Sequence, residues 1–163
     1  EFPWKFKIDD YVFSKKNYGL QKGNVLTKQS GKNKKTNCIN LDMDFSASKN
    51  GYYREPHRDR DTRIINFLIY LNSIPKKKGG CLEIFSTKSN WGGKTKNFPR
   101  FPKKNKIEIK KKFQPKIGQT IFFLSSPNSY HGVSKFILKK NKRIFIYGSY
   151  SLNKPVKWKF TKK

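Results

Sequence analysis

Apolar and polar positions along the chain follow the short rhythm of strands. No window carries apolar residues at spacings of three and four over several turns, and Gly, Pro, Asn and aromatic residues interrupt throughout, so long amphipathic helices are not expected. TRIINFLIYL (62–71) is a near-continuous β-branched and aromatic run, the pattern of a strand buried on both faces. CLEIF (81–85), KIEIKKKF (106–113), GQTIFFL (118–124) and RIFIYGSY (143–150) predict further strands, and SKFIL (134–138) one more. Turn-rich KKKGG, QPKIG, SSPNSYHG and KKNK separate them. Short strands at this spacing imply a β-sandwich or an open barrel.

The first fifty residues give a weaker pattern. WKFKIDDYVF (4–13) alternates in part and fits an edge strand or a short helix, and TKQSGKNKKTN (27–37) reads as a solvated loop. The expectation is a single domain over 1–163, with a core of about 40–152 and an N-terminal flanking segment, 1–39. There is no apolar run of membrane-spanning length and no charged, apolar, small-residue leader, so neither a membrane nor an export signal is expected and the cytoplasm is the default compartment. Cys38 and Cys81 are too far apart for a CxxC metal pair and too few for a disulfide framework, so a reducing compartment is the default, with a single bridge as the alternative.

Charge changes the picture. The formal net charge is +28, from 38 basic and 10 acidic residues. Such a balance offers a nucleic acid or another acidic molecule as partner. The excess is nearly all lysine in a chain also rich in Asn, Ile, Phe and Tyr, which an AT-rich bacterial or viral genome explains equally well. The placement of the lysines is more informative than their number. Residues 50–75 and 117–134 contain none, while Arg54, Arg58, Arg60 and Arg63 crowd into the first of these windows.

That window holds EPHRDRD (55–61). Residues i and i+2 of a strand share a face, so His57 and Asp59 can point at one site. The only other histidine, His131, lies in NSYHGV after the strand ending at Leu124. Two imidazoles and one carboxylate make the facial triad of non-haem Fe(II) oxygenases, which leaves three adjacent positions for cosubstrate and oxygen. A lone His-x-Asp is a common accident, and His131 alone would read as a turn residue. Here, however, the chain's whole histidine supply fits the pattern in order, and Arg143 opens a strand twelve residues after His131.

PHRD, RIINFLIYLN, GGCLEIF, PKIGQTIFFLSS, HGV and RIFIYGSYS, taken in order, resemble the 2-oxoglutarate and Fe(II)-dependent dioxygenases, in particular their prolyl-4-hydroxylase-like branch. The likeness covers roughly 50–152, about two thirds of the chain. It implies a mainly β fold, a double-stranded β-helix (jelly-roll, cupin-like) core with a few short flanking helices. It also implies Fe(II), 2-oxoglutarate and O2 as the reacting set, with ascorbate in support. Position by position, His57, Asp59 and His131 would ligate iron, and Arg143 would pair with the distal carboxylate of 2-oxoglutarate, where an arginine fork suits better than lysine. Tyr70 would donate to the same carboxylate, and Asn66, on the same strand face by even spacing, would also line the cofactor-binding pocket. Lys142 is the next candidate should Arg143 not serve. Arg63 matches an arginine near the family's substrate entrance, and Tyr52 and Tyr53 precede the first ligand, where an aromatic meets substrate or cosubstrate.

The alternative readings of several residues are structural. Tyr70 also reads as a core tyrosine, Arg63 as a solvated charge, and Asp61 as the partner of a neighbouring arginine. Gly79 and Gly80 lack a phosphate-loop context and read as a turn. Trp91, in the long 86–105 segment, reads as a substrate cover or as plain surface. The aspartate at 59, where related halogenases carry a small residue to admit halide, implies hydroxylation. The expected substrate is a protein or peptide side chain, proline first. Nucleic acid, a free amino acid or another small molecule are alternatives, as is a noncatalytic basic binding module. Against the nucleic-acid reading, IFIYGSY after Arg143 lacks a second arginine and an Asn-x-Thr pattern.

Overall fold

A computed structural model describes residues 38–88, 98–152 and 154–158, together with the backbone of four short strands outside these ranges. In chain order the strands are β1 (Trp4–Lys5), β2 (Lys15–Lys16), β3 (Val25–Thr27), β4 (Cys38–Ser48), β5 (Arg54–His57) and β6 (Arg63–Tyr70). They continue with β7 (Leu82–Thr87), β8 (Ile107–Phe113), β9 (Thr120–Leu124), β10 (Tyr130–Val133), β11 (Arg143–Leu152) and β12 (Lys159–Phe160). Two single 3₁₀ turns, Lys76–Lys78 and Lys104–Lys106, are the only helical elements among the described residues. No helix among those residues is long and apolar enough to cross a membrane.

The strands form a six-stranded sheet in the order β2-β3-β4-β11-β6-β9, a four-stranded sheet in the order β5-β10-β7-β8 and a two-stranded ribbon of β1 and β12, every pair antiparallel. From β5 to β11 the chain passes repeatedly between the two sheets, the layout of a jelly-roll core, and the mainly β expectation holds. Leu68, Tyr70, Leu82, Ile121 and Phe145 are buried between the sheets, and Ile39, Ile64, Leu152 and Val156 close one end of the larger sheet. Burial on both faces of β6 agrees with its apolar run, since Phe67 on one face and Leu68 on the other are each about 95% shielded.

Four elements differ from the sequence reading. SKFIL is not a strand: Phe136 is fully buried, but its amide donates to Tyr52 O and the Ile137 amide to Lys78 O, so the segment is held by loops instead of a ladder. β4 was hidden because its alternation is inverted. Asn40, Asp42, Asp44 and Ser46 line the cavity, while Phe45 on the other face is 73% exposed. β10 is a strand of its own where the sequence suggested a turn. β5 ends at His57, so Asp59 belongs to a loop and does not share a strand face with the histidine. The segments 6–13, 28–37 and 89–97, including Trp91, lie outside the described residues, as does the test of any helix there.

Candidate active site

Main-chain register brings the two histidines together. β10 lies between β5 and β7 and pairs with both, placing His131 directly opposite His57. The ring centroids are 4.5 Å apart. Such an approach requires a small residue beside His131. A Cβ on Gly132 would lie 2.8 Å from Arg54 O and 3.3 Å from the Glu55 carbonyl, both main chain. The His57 Nδ1 is 2.7 Å from Glu55 O, to which it donates, so Nε2 carries the lone pair that faces the site.

Asp59 enters from the β5–β6 loop, which crosses from the smaller sheet to the larger. Ligand atoms of His57, Asp59 and His131 all lie within 4.8 Å of one another, the spacing of donors around a single cation. Side chains fix the carboxylate. Arg63 Nη1 donates to Oδ1 at 3.0 Å and the Tyr147 hydroxyl donates to Oδ2 at 2.8 Å. Arg63 also donates to the Tyr147 hydroxyl at 2.7 Å, and its guanidinium carbon lies 5.3 Å from that ring's centre. Tyr147 follows Arg143 by four residues along β11 and so projects from the same face. That parity was available in the sequence, yet the residue was missed.

Burial sets the protonation states. Desolvation pulls the His131 imidazole down to about 4 and lowers that of His57, so both are neutral near pH 7. Burial alone would raise the Asp59 carboxyl, but His131, Arg63 and the Tyr147 hydrogen bond together hold it below the usual range. Burial raises Tyr147 far above an ordinary phenol, with the Asp59 charge adding to the effect. Two neutral imidazoles and an ionised carboxylate are the donor set that a divalent transition metal requires.

Arg143 is the unusual charge. It is only 1% exposed, its Nη2 donates to the Tyr70 hydroxyl at 3.3 Å, and its Nε and Nη1 have no partner. Gly80, at φ 71°, makes room for it: a Cβ there would lie 3.1 Å from Arg143 Cδ. A buried guanidinium with two spare donors is costly unless an anion completes it. The residues present therefore fit both a cation at the triad and a carboxylate at Arg143. His57, Asp59, His131, Arg63 and Arg143 line one cavity of about 770 Å³, within the range of small-molecule sites.

The other expected residues fall around this centre. Tyr70 is fully buried behind Arg143. Asn66 Oδ1 lies 3.3 Å from the Tyr147 hydroxyl, whose proton goes to the nearer Asp59, and Asn66 packs beside that residue without lining the cavity. Tyr52 lines the cavity and Tyr53 does not. Lys142 is exposed and away from the lining. Asp61 pairs with Arg58, as its alternative reading held. Gly79 and Gly80 have positive φ in the turn before β7. Cys81 is a free thiol that donates to Gln114 Oε1 at 3.1 Å.

A jelly-roll core with a two-histidine, one-carboxylate cluster beside a buried arginine defines the class of non-haem iron oxygenases that use an acidic cosubstrate. The family model described as the 2OG-Fe(II) oxygenase superfamily matches residues 43–150, and the chain belongs to that superfamily. Among solved structures, a prolyl-4-hydroxylase from Pseudomonas putida is similar at 19% identity and a TM-score of 0.48, over 69% of this chain and 52% of its own. An oxidoreductase of the 2OG-Fe(II) oxygenase family from Burkholderia pseudomallei is similar at 15% identity and a TM-score of 0.39, over 82% of this chain and 47% of its own. This chain thus spans about half the length of each. No curated protein matches it significantly.

Proposed function

We propose that this domain is a 2-oxoglutarate- and Fe(II)-dependent dioxygenase that hydroxylates a side chain of a protein or peptide, with a prolyl residue as the first candidate. One observation carries the reading: a metal-competent triad and a buried arginine with unpartnered donors line the same cavity. In this reading His57, Asp59 and His131 hold the iron. Bound there, Fe(II) with 2-oxoglutarate would supply the oxidant, one oxygen atom leaving in succinate and the other entering a C–H bond of the substrate.

The protein's own residues do the rest. Arg143 clamps the distal carboxylate of 2-oxoglutarate through the donors now spare, and the Tyr70 hydroxyl, which accepts from Arg143, holds the fork in place. Arg63 and Tyr147 keep both Asp59 oxygens occupied, which orients the carboxylate for the metal. Leu68, Leu82, Phe123 and Phe145 line the inner cavity and limit water at the reacting centre. The test is succinate formation from 2-oxoglutarate by the purified protein with Fe(II), ascorbate and oxygen. Slow turnover that proline-containing peptides accelerate is expected. Iron binding without turnover under any of these conditions would refute the enzyme and favour a binding module.

A further inference from the structure

Five of the six arginines, Arg54, Arg60, Arg63, Arg100 and Arg143, line the cavity, whereas none of the 32 lysines does among the described residues. Lysines spread in proportion to their number would occupy several of those positions, so composition alone does not account for the lining. Two of the five are already engaged, Arg63 with Asp59 and Arg143 with Tyr70. Arg54, Arg60 and Arg100 come from three separate segments, and none has a carboxylate within ion-pair distance among the described residues. Arg100 is set close to the triad, its guanidinium 5.5 Å from the Phe101 ring, which in turn lies 6.3 Å from His57.

The cavity also carries acid on its β4 side. Asp42 and Asp44 project from β4 into the same cavity, and Ser151 Oγ donates to Asp42 at 3.0 Å. Of only ten acidic residues in a chain of net charge +28, Asp42 and Asp44 line the cavity beside Asp59, together with Arg54, Arg60 and Arg100. A polyphosphate backbone would be attracted by the arginines and repelled by these carboxylates. A peptide can present carboxylates to one side alone, and the planar arginine fork matches a carboxylate in two hydrogen bonds.

Building on the dioxygenase reading of this cavity, we propose that the substrate is an acidic peptide segment. Its carboxylates flank the target residue and pair with Arg54, Arg60 and Arg100, while Asp42 and Asp44 turn that acidic side away from β4.

The test is fluorescence anisotropy of labelled proline peptides flanked by Glu, Gln or Lys, titrated with the full chain at about 0.15 M salt, where the screening length is about 8 Å. Glu-flanked peptides should bind about tenfold tighter than Gln-flanked ones, or more, the worth of roughly one charge-assisted pair. The Arg54→Gln, Arg100→Gln double variant should lose that preference. A Lys110→Gln, Lys140→Gln double variant, with the same loss of charge on surface away from the cavity, should keep it. Asp42→Asn with Asp44→Asn should reduce discrimination against Lys-flanked peptides. Equal losses in the arginine and lysine variants would overturn the proposal in favour of bulk charge, as would equal binding of Glu- and Gln-flanked peptides. Competition by a single-stranded oligonucleotide that also depends on Arg54 and Arg100 would overturn it in favour of nucleic acid. Succinate formation without peptide reports separately on the dioxygenase reading, so the failure of either is distinguishable from the failure of the other.

Discussion

At the scale of single residues, Arg143 sets function against stability. A buried cation with two unsatisfied donors destabilises the fold until an anion arrives, so Arg143→Leu should raise the melting temperature of the protein without cosubstrate. The same change should weaken 2-oxoglutarate binding on the order of 100-fold, since losing one partner of a buried charge pair costs about 2–5 kcal/mol. Thermal melts with and without 2-oxoglutarate read both effects, and an unchanged cosubstrate shift would move the clamp to another residue. Tyr147→Phe tests a different kind of contribution. It removes the hydrogen bond to Asp59 Oδ2 and leaves the ring in place, and Fe(II) affinity should fall about 10- to 100-fold, as for other outer partners of metal ligands. Titration with a chelator indicator checks this directly, and unaltered affinity would leave Arg63 as the sole determinant of the carboxylate's position.

Among the elements, β10 matters more than its four residues suggest. It is hydrogen-bonded on both sides, so it cannot shift to relieve a clash. Gly132→Ala would press a methyl group against the main chain of β5, which should cost about 1–3 kcal/mol and disturb the pairing of His131 with His57. A lowered melting temperature together with weakened metal binding is expected, while a change in only one of them would show that the register is not what positions the histidines.

The legibility of the sequence divides along the same lines. β6, β7, β8, β9 and β11 were readable because β-branched and aromatic runs between turn residues have few other folded outcomes. β4 was not, because Asn40, Asp42, Asp44 and Ser46 face a cavity while Phe45 faces outward, the reverse of the usual alternation. His57, Asp59 and His131 could be gathered from order and scarcity alone. Yet the reason given for two of them, a shared strand face, differs from the structure, where a loop and two side chains bring Asp59 into place. Arg63 was read as an entrance residue; it pairs directly with Asp59, four positions before it, while Tyr147, which completes the arrangement, lies 84 positions away, with no local signal of that contact.

For the whole molecule, burial of His57, Asp59 and His131 makes stability depend on pH in the absence of metal. The folded-state values of His57 and His131 lie below those of the unfolded chain, so between the two the unfolded state binds more protons and stability rises with pH. Their contribution is fully present above about 6.5 and is lost as pH falls toward about 4, the folded value of His131. For His131 this amounts to about 3 kcal/mol at most. Asp59, also lowered, acts in the same direction at still lower pH. Urea melts of the metal-free protein from pH 7 to pH 4 should show a continuous loss of stability, and a flat profile would mean that the histidines are solvated.

The lateral strands of the two sheets are built differently. β8, last in the smaller sheet, carries Lys110, Lys111 and Lys112 in succession, which places charge on both faces of that edge, with Lys112 paired to Glu83, and discourages addition of another strand. β9, last in the larger sheet, reads Thr-Ile-Phe-Phe-Leu without a charge, and Phe122 is 64% exposed. Despite a charge of +28, colloidal stability is therefore local: self-association, where it occurs, should begin by strand addition at β9, and the lysine content will not prevent it there.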